Sequence, residues 1–159
     1  MGGPSSKQLK LQREINHELA QLQKLADVAV RLAALPVADR HPWDAAAAAK
    51  FISDLVLGLE NLIKRTWLYL ERPVPDGADS HQQLLAVFLA DPQLGGQLPA
   101  EWPMRFKMYL RFRHRFLHGY GYEVNWEIVE EPLRWLPEAV SLLKQCWGRW
   151  LATHLKATP

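Results

Sequence analysis

Arg105-Phe-Lys-Met-Tyr-Leu-Arg-Phe-Arg-His-Arg-Phe-Leu-His-Gly-Tyr120 carries two messages on one segment. Met108, Tyr109, Phe112 and Phe116 recur at three- and four-residue steps, the period of a helix with one core-facing stripe. Lys107, Arg111, His114 and His118 fall within an arc of roughly 60° on another face, at about 100° per residue. His114 and His118, four apart, are neighbours on that surface. Residues 102–122 contain five Lys or Arg and no Asp or Glu, a charge of +5. Elsewhere 14 Lys and Arg face 17 Asp and Glu, a balance of −3. A field concentrated on one helix of an otherwise near-neutral chain points to a polyanion or a phosphate-bearing ligand. A solvated helix end explains part of it, because cations near a helix C-terminus are favoured by its dipole.

Outward from this segment the periodicity stays helical and no alternating strand pattern stands out. Leu11, Ile15, Leu22, Leu25, Ala29 and Leu32 mark a long first helix, with Ser6 as its expected cap and Leu35-Pro36 as its end. A second helix is expected from a cap at Asp44 through the Ala45–Ala49 tract to about Glu71. His81 to Ala90 reads as a short third helix, and the basic helix is the fourth, from around Pro99–Pro103 to Gly119 or Gly121. Asn125 caps a turn that Pro132 is expected to interrupt. A final helix carries Leu133, Leu136, Val140, Leu143, Trp147 and Trp150 on one stripe. Short loops between long helices predict an all-α, antiparallel bundle of about five helices. The expected division is a flexible segment over 1–6 and one helical domain over 7–159.

The 48% hydrophobic content of these 159 residues supports a real core, and folding should bury roughly 70% of the unfolded surface. No stretch reaches the roughly 20 apolar residues that a spanning helix needs, and the first residues lack the apolar run of a signal peptide. The single cysteine, Cys146, excludes an internal disulfide and reads as buried filler. These features predict a cytoplasmic protein without a membrane segment. Trp126, Trp135, Trp147 and Trp150 read as core or interface packing.

Arg113 is the anomaly. It falls beside Tyr109 and Phe116, where an unpaired guanidinium is costly. It needs a carboxylate, backbone carbonyls, a second subunit or a bound phosphate. The pair His114 and His118 has the spacing of metal ligands, but no carboxylate or cysteine stands near in sequence to complete a site, and His-Glu-x-x-His is absent. No metal and no cofactor is expected.

Arg113-His114-x-x-x-His118-Gly-Tyr120 resembles the Arg-polar-x-x-x-His motif of the HEPN superfamily. It is closest to the Arg-x4-His-x-Tyr form of HepT-like toxins from MNT–HEPN toxin–antitoxin systems. The following Gly-Tyr-Glu-Val-Asn-Trp and a long last helix are similar to the region after that motif. The bare spacing is weak: composition gives about 0.4 chance matches, and Arg149 with His154 is a second one. That pair lacks the trailing tyrosine, and His154 continues an apolar stripe. Many relatives carry Asn or Asp where this chain has His114, which leaves open whether His114 assists catalysis or holds the helix end. On a regular helix Arg113 and His118 stand about 140° apart, so they converge through a distortion near Gly119 or across two subunits.

The resemblance implies a metal-independent endoribonuclease acting as a homodimer, with two motifs at the twofold interface. It implies catalytic roles for Arg113 and His118, with His114 beside them. Imidazole titrates near neutrality and suits proton transfer, and a guanidinium suits a phosphate. Lys107, Arg111 and Arg115 are expected to track the RNA backbone. The resemblance also implies a nucleotidyltransferase antitoxin as partner, which silences the toxin by AMPylation of Tyr120; Tyr122 is an alternative acceptor. The rival implication is a non-catalytic HEPN-type module that binds nucleotide or nucleic acid beside such a partner.

Overall fold

Five α-helices carry the chain in the computed structural model, which describes residues 2–155, so Met1 and the last four residues of the expected domain lie outside. The helices are α1 (Ser6–Ala33), α2 (Pro42–Tyr69), α3 (Ser80–Ala90), α4 (Trp102–His118) and α5 (Trp126–His154). Single 3-10 turns fill three of the connections, and no strand occurs among the described residues. The all-α bundle expected from periodicity is the observed fold.

Helix ends follow local chemistry, with shifts of a residue or two. Ser5, not Ser6, caps α1: its Oγ accepts from the Gln8 amide, and Gln8 Oε1 accepts from the Ser5 amide at 2.7 Å. Asp44 is one turn inside α2 and reaches back to the His41 amide at 2.7 Å, while Pro42 occupies the first turn, where its missing N–H is harmless.

The larger departure is at Pro132. Instead of interrupting the chain there, α5 runs from Trp126 through both Pro132 and Pro137 to His154. An internal proline costs about 3 kcal/mol, and burial of Val129, Pro132, Leu133 and Leu136 on one face offsets it. The Pro132 carbonyl also accepts the buried Tyr109 hydroxyl at 2.7 Å, tying α4 to α5. Burial raises the Tyr109 pKa, keeping that hydroxyl protonated as the donor.

Helices α1, α2 and α5 form the main body, while α4 packs on α2, and α3 sits against α2 and α4. Gly58 permits the close approach of α1 and α2, since a Cβ there would stand 2.5 Å from Leu22 Cδ2. Trp147 Nε1 donates to Thr66 Oγ1 at 2.9 Å between α5 and α2. Trp147 and Trp150 are buried; Trp126 and Trp135 are half-buried against the core. Along α4 the deepest side chains are Trp102, Phe106 and Tyr109, whereas Met108, Phe112 and Phe116 are half-buried. The deepest part of the apolar stripe therefore lies nearer the start of α4 than its sequence suggests, with Phe112 and Phe116 only partly buried against the core. No described helix is long and apolar enough to cross a membrane.

Candidate functional site

A cleft of about 820 Å³ opens between α3 and α4. Lys107, Arg111, His114 and His118 line its α4 wall, as the three- and four-residue spacing requires. The rings of His114 and His118 meet edge to face, 4.6 Å between centroids. Met104 and Leu117, both more than half exposed, add apolar surface to the same wall. Asp79, at the N-cap of α3, and His81 and Gln82 in its first turn complete the opposite wall.

Arg113 lines this cleft too, from a more buried position, and the partner it requires is a carboxylate. Its Nη1 is 3.4 Å from Glu60 Oε1, with 17% of the arginine side chain and 5% of the glutamate side chain exposed. The same Glu60 oxygen is 2.6 Å from His81 Nδ1, and Arg113 Nη1 is 3.2 Å from that ring nitrogen. Three helices thus contribute one ionisable side chain each.

Proton accounting settles how the three share one oxygen. A contact of 2.6 Å between a carboxylate oxygen and an imidazole nitrogen needs a proton between them, or two lone pairs would oppose each other. The ion-paired Glu60 is the acceptor, so Nδ1–H of His81 donates to it. The Arg113 Nη1–H then serves Glu60 as well, and no bond from Arg113 Nη2 or Nε to another described side chain remains to occupy them. Those nitrogens are available to an anion in the cleft.

The structure gathers five of the expected site residues, Lys107, Arg111, Arg113, His114 and His118, around one cavity. Helix α4 is regular through His118, so Arg113 and His118 do not touch; they face shared space instead. Arg115 is exposed and outside the cleft lining. Tyr120 also lies outside it, just past the end of α4, 70% exposed and stacked on Tyr122 at 5.5 Å. Among the described residues no three His, Cys, Asp or Glu side chains converge into a metal-binding group.

Glu60 and His81 do not figure among the residues that spacing brings forward, although one of them leaves a signal. Val56, Glu60, Ile63 and Trp67 follow four-three-four steps on the buried face of α2. A carboxylate in such a register demands a cationic partner elsewhere in the chain. His81 has no comparable signal, since one histidine in the first turn of a short helix is unremarkable without its neighbours.

The sequence model of the family described as HepT-like protein matches residues 47–153, which include α3, α4 and nearly all of α2 and α5. No curated protein and no solved structure matches the chain.

Proposed function

The chain belongs to the HepT-like family of the HEPN superfamily, and from that premise we propose that it is a metal-independent endoribonuclease, the toxin of a toxin–antitoxin pair. The observation that carries this reading is the shared cleft: an imidazole, a guanidinium with unoccupied nitrogens, and two further cations face one space of nucleotide size.

RNA supplies its own nucleophile. The 2′-oxygen attacks phosphorus, the P–O5′ bond breaks, and a 2′,3′-cyclic phosphate and a 5′-hydroxyl result. His118 accepts the 2′-hydroxyl proton, and His114, in edge contact, steadies its ring. Arg113 holds the scissile phosphate and neutralises charge developing on its oxygens. Lys107 and Arg111 follow the backbone along the cleft wall, with Arg115 a more distant contribution. In the homodimer a second protomer covers the exposed Met104 and Leu117 and brings its own motif alongside.

Tyr120 is the acceptor for AMP from a nucleotidyltransferase antitoxin, and its exposure beside the cleft end supports that role. The added phosphate places negative charge and bulk where RNA enters. Tyr122, 83% exposed and stacked on it, is the alternative acceptor. An RNA substrate and a nucleotidyltransferase partner suit a cytoplasmic protein.

One observation favours a different reading. Glu60 already balances Arg113, which suits a non-catalytic module that holds nucleotide or RNA without cleaving it. The test is incubation of the purified protein with single-stranded RNA in EDTA. Cleavage to cyclic-phosphate ends, lost in His118→Ala and in Arg113→Ala proteins that keep their helical circular dichroism, is the expected result. Cleavage that survives both substitutions rejects the assignment, and binding without cleavage selects the module.

A further inference from the structure

In-line cleavage of RNA needs two proton transfers, and one imidazole cannot perform both at once. Removing the 2′-hydroxyl proton occupies His118; the departing 5′-oxygen is a poor leaving group unless it is protonated as the bond breaks. We propose that His81 is the second proton-transfer residue, the general acid for the 5′-oxygen, held in place by Glu60. This rests on the endoribonuclease reading above.

The geometry supports it in three ways. Glu60, 5% exposed, binds Nδ1 of His81 at 2.6 Å, which fixes the ring from the core side. Nε2 lies across the ring from Nδ1, has no hydrogen-bond partner among the described residues, and belongs to a side chain that is 45% exposed and lines the cleft. It is therefore the nitrogen presented to substrate. Next, Arg113 Nη1 is 3.2 Å from the same ring, so the phosphate-holding guanidinium and this imidazole are immediate neighbours. Finally, one Glu60 oxygen contacts both His81 Nδ1 and Arg113 Nη1, so a single buried carboxylate orients the proton donor and the phosphate-holding group together. Neither His114 nor His118 forms a salt bridge to a carboxylate among the described residues.

The step balances. The 2′-oxygen bonds to phosphorus as its proton passes to His118, and the P–O5′ bond breaks as the Nε2 proton of His81 passes to O5′. Water returns His118 and His81 to their starting protonation states. Glu60 touches no reacting atom and is a positioning residue.

The experiment compares the full-length protein and its His81→Ala variant on two RNA substrates, one ordinary and one with sulfur replacing the bridging 5′-oxygen. A thiolate leaves without a proton, so the sulfur substrate does not need the acid. On ordinary RNA, kcat of the variant is expected to fall about 10²–10⁴-fold with KM within about twofold, since Arg113 keeps Glu60 as its partner. On the sulfur substrate, the variant should match the wild-type protein. Equal losses on both substrates would assign His81 a structural role and overturn the proposal. So would unchanged cleavage of ordinary RNA by His81→Ala, or selective rescue of His118→Ala by sulfur; in these two cases the endoribonuclease reading stands. A wild-type protein that cleaves neither substrate overturns both.

Discussion

Arg113 with His118 ends α4, and Arg149 with His154 ends α5, at the same five-residue separation. The surroundings of the two pairs have little else in common. Arg113 is ion-paired to a buried glutamate across the bundle and shares a cleft with His118. Among the described residues the Arg149 side chain reaches only the Cys146 sulfur, at 3.8 Å, one turn back on its own helix. His154 stacks on Trp150 at 4.1 Å, and its Nδ1 is 3.0 Å from the Trp150 carbonyl. One pair faces an opposing helix across open space; the other folds back on its own turn. Spacing along a helix therefore carries little chemistry until another element supplies the facing wall.

The strongest way to break this contrast is catalytic. His118→Ala should lower RNA cleavage about 10³-fold, within the range for removing a proton-transfer group, whereas His154→Ala should leave it within about twofold. A comparable loss at both histidines would erase the distinction. Next comes stability, read by urea denaturation. Arg113→Ala strands a buried carboxylate with only His81 as partner and should cost about 3 kcal/mol. Arg149→Ala, at the surface, should stay within about 0.5 kcal/mol. Replacing both members of the buried pair, as Arg113→Met with Glu60→Leu, should recover much of the loss, because apolar isosteres remove the desolvation cost.

A smaller effect tests whether the α5 end is structural. Thr66→Val leaves the Trp147 indole N–H buried without its acceptor and should cost about 1–3 kcal/mol without changing cleavage by the folded protein. Salt titrations of RNA binding sharpen the picture further. Lys107→Ala and Arg111→Ala should each reduce the log–log salt slope by about 0.7. Arg115→Ala should change it less, and Arg149→Ala not at all. The smallest effect concerns Cys146. Burial raises its thiol pKa, partly offset by Arg149, so the thiolate fraction near neutral pH falls and labelling of the native protein should be slow. Arg149→Ala should slow it again, and urea should release it.

Five helices were legible because apolar residues recur every three or four positions along nearly the whole chain, and helical hydrogen bonds are local. Pro132 shows where that reasoning fails. Propensity opposes a helix through it, but burial of its ring and its neighbours prevails, and burial depends on contacts with distant helices. The grouping of Lys107, Arg111, His114 and His118 was legible for the same local reason. The need of Arg113 for a partner followed from its place near the apolar arc. Which partner it takes did not: Glu60 lies 53 residues away and His81 lies 32 away.

Pattern alone thus established a helical chain, one cationic face and one arginine in an unfavourable register, because each depends on neighbours within a turn. The identity of the buried carboxylate, the His81 nitrogen that faces it and the depth of the cleft emerged from packing. They depend on which helix lies opposite which, and that is set by the sum of many weak apolar contacts across the bundle rather than by any short stretch.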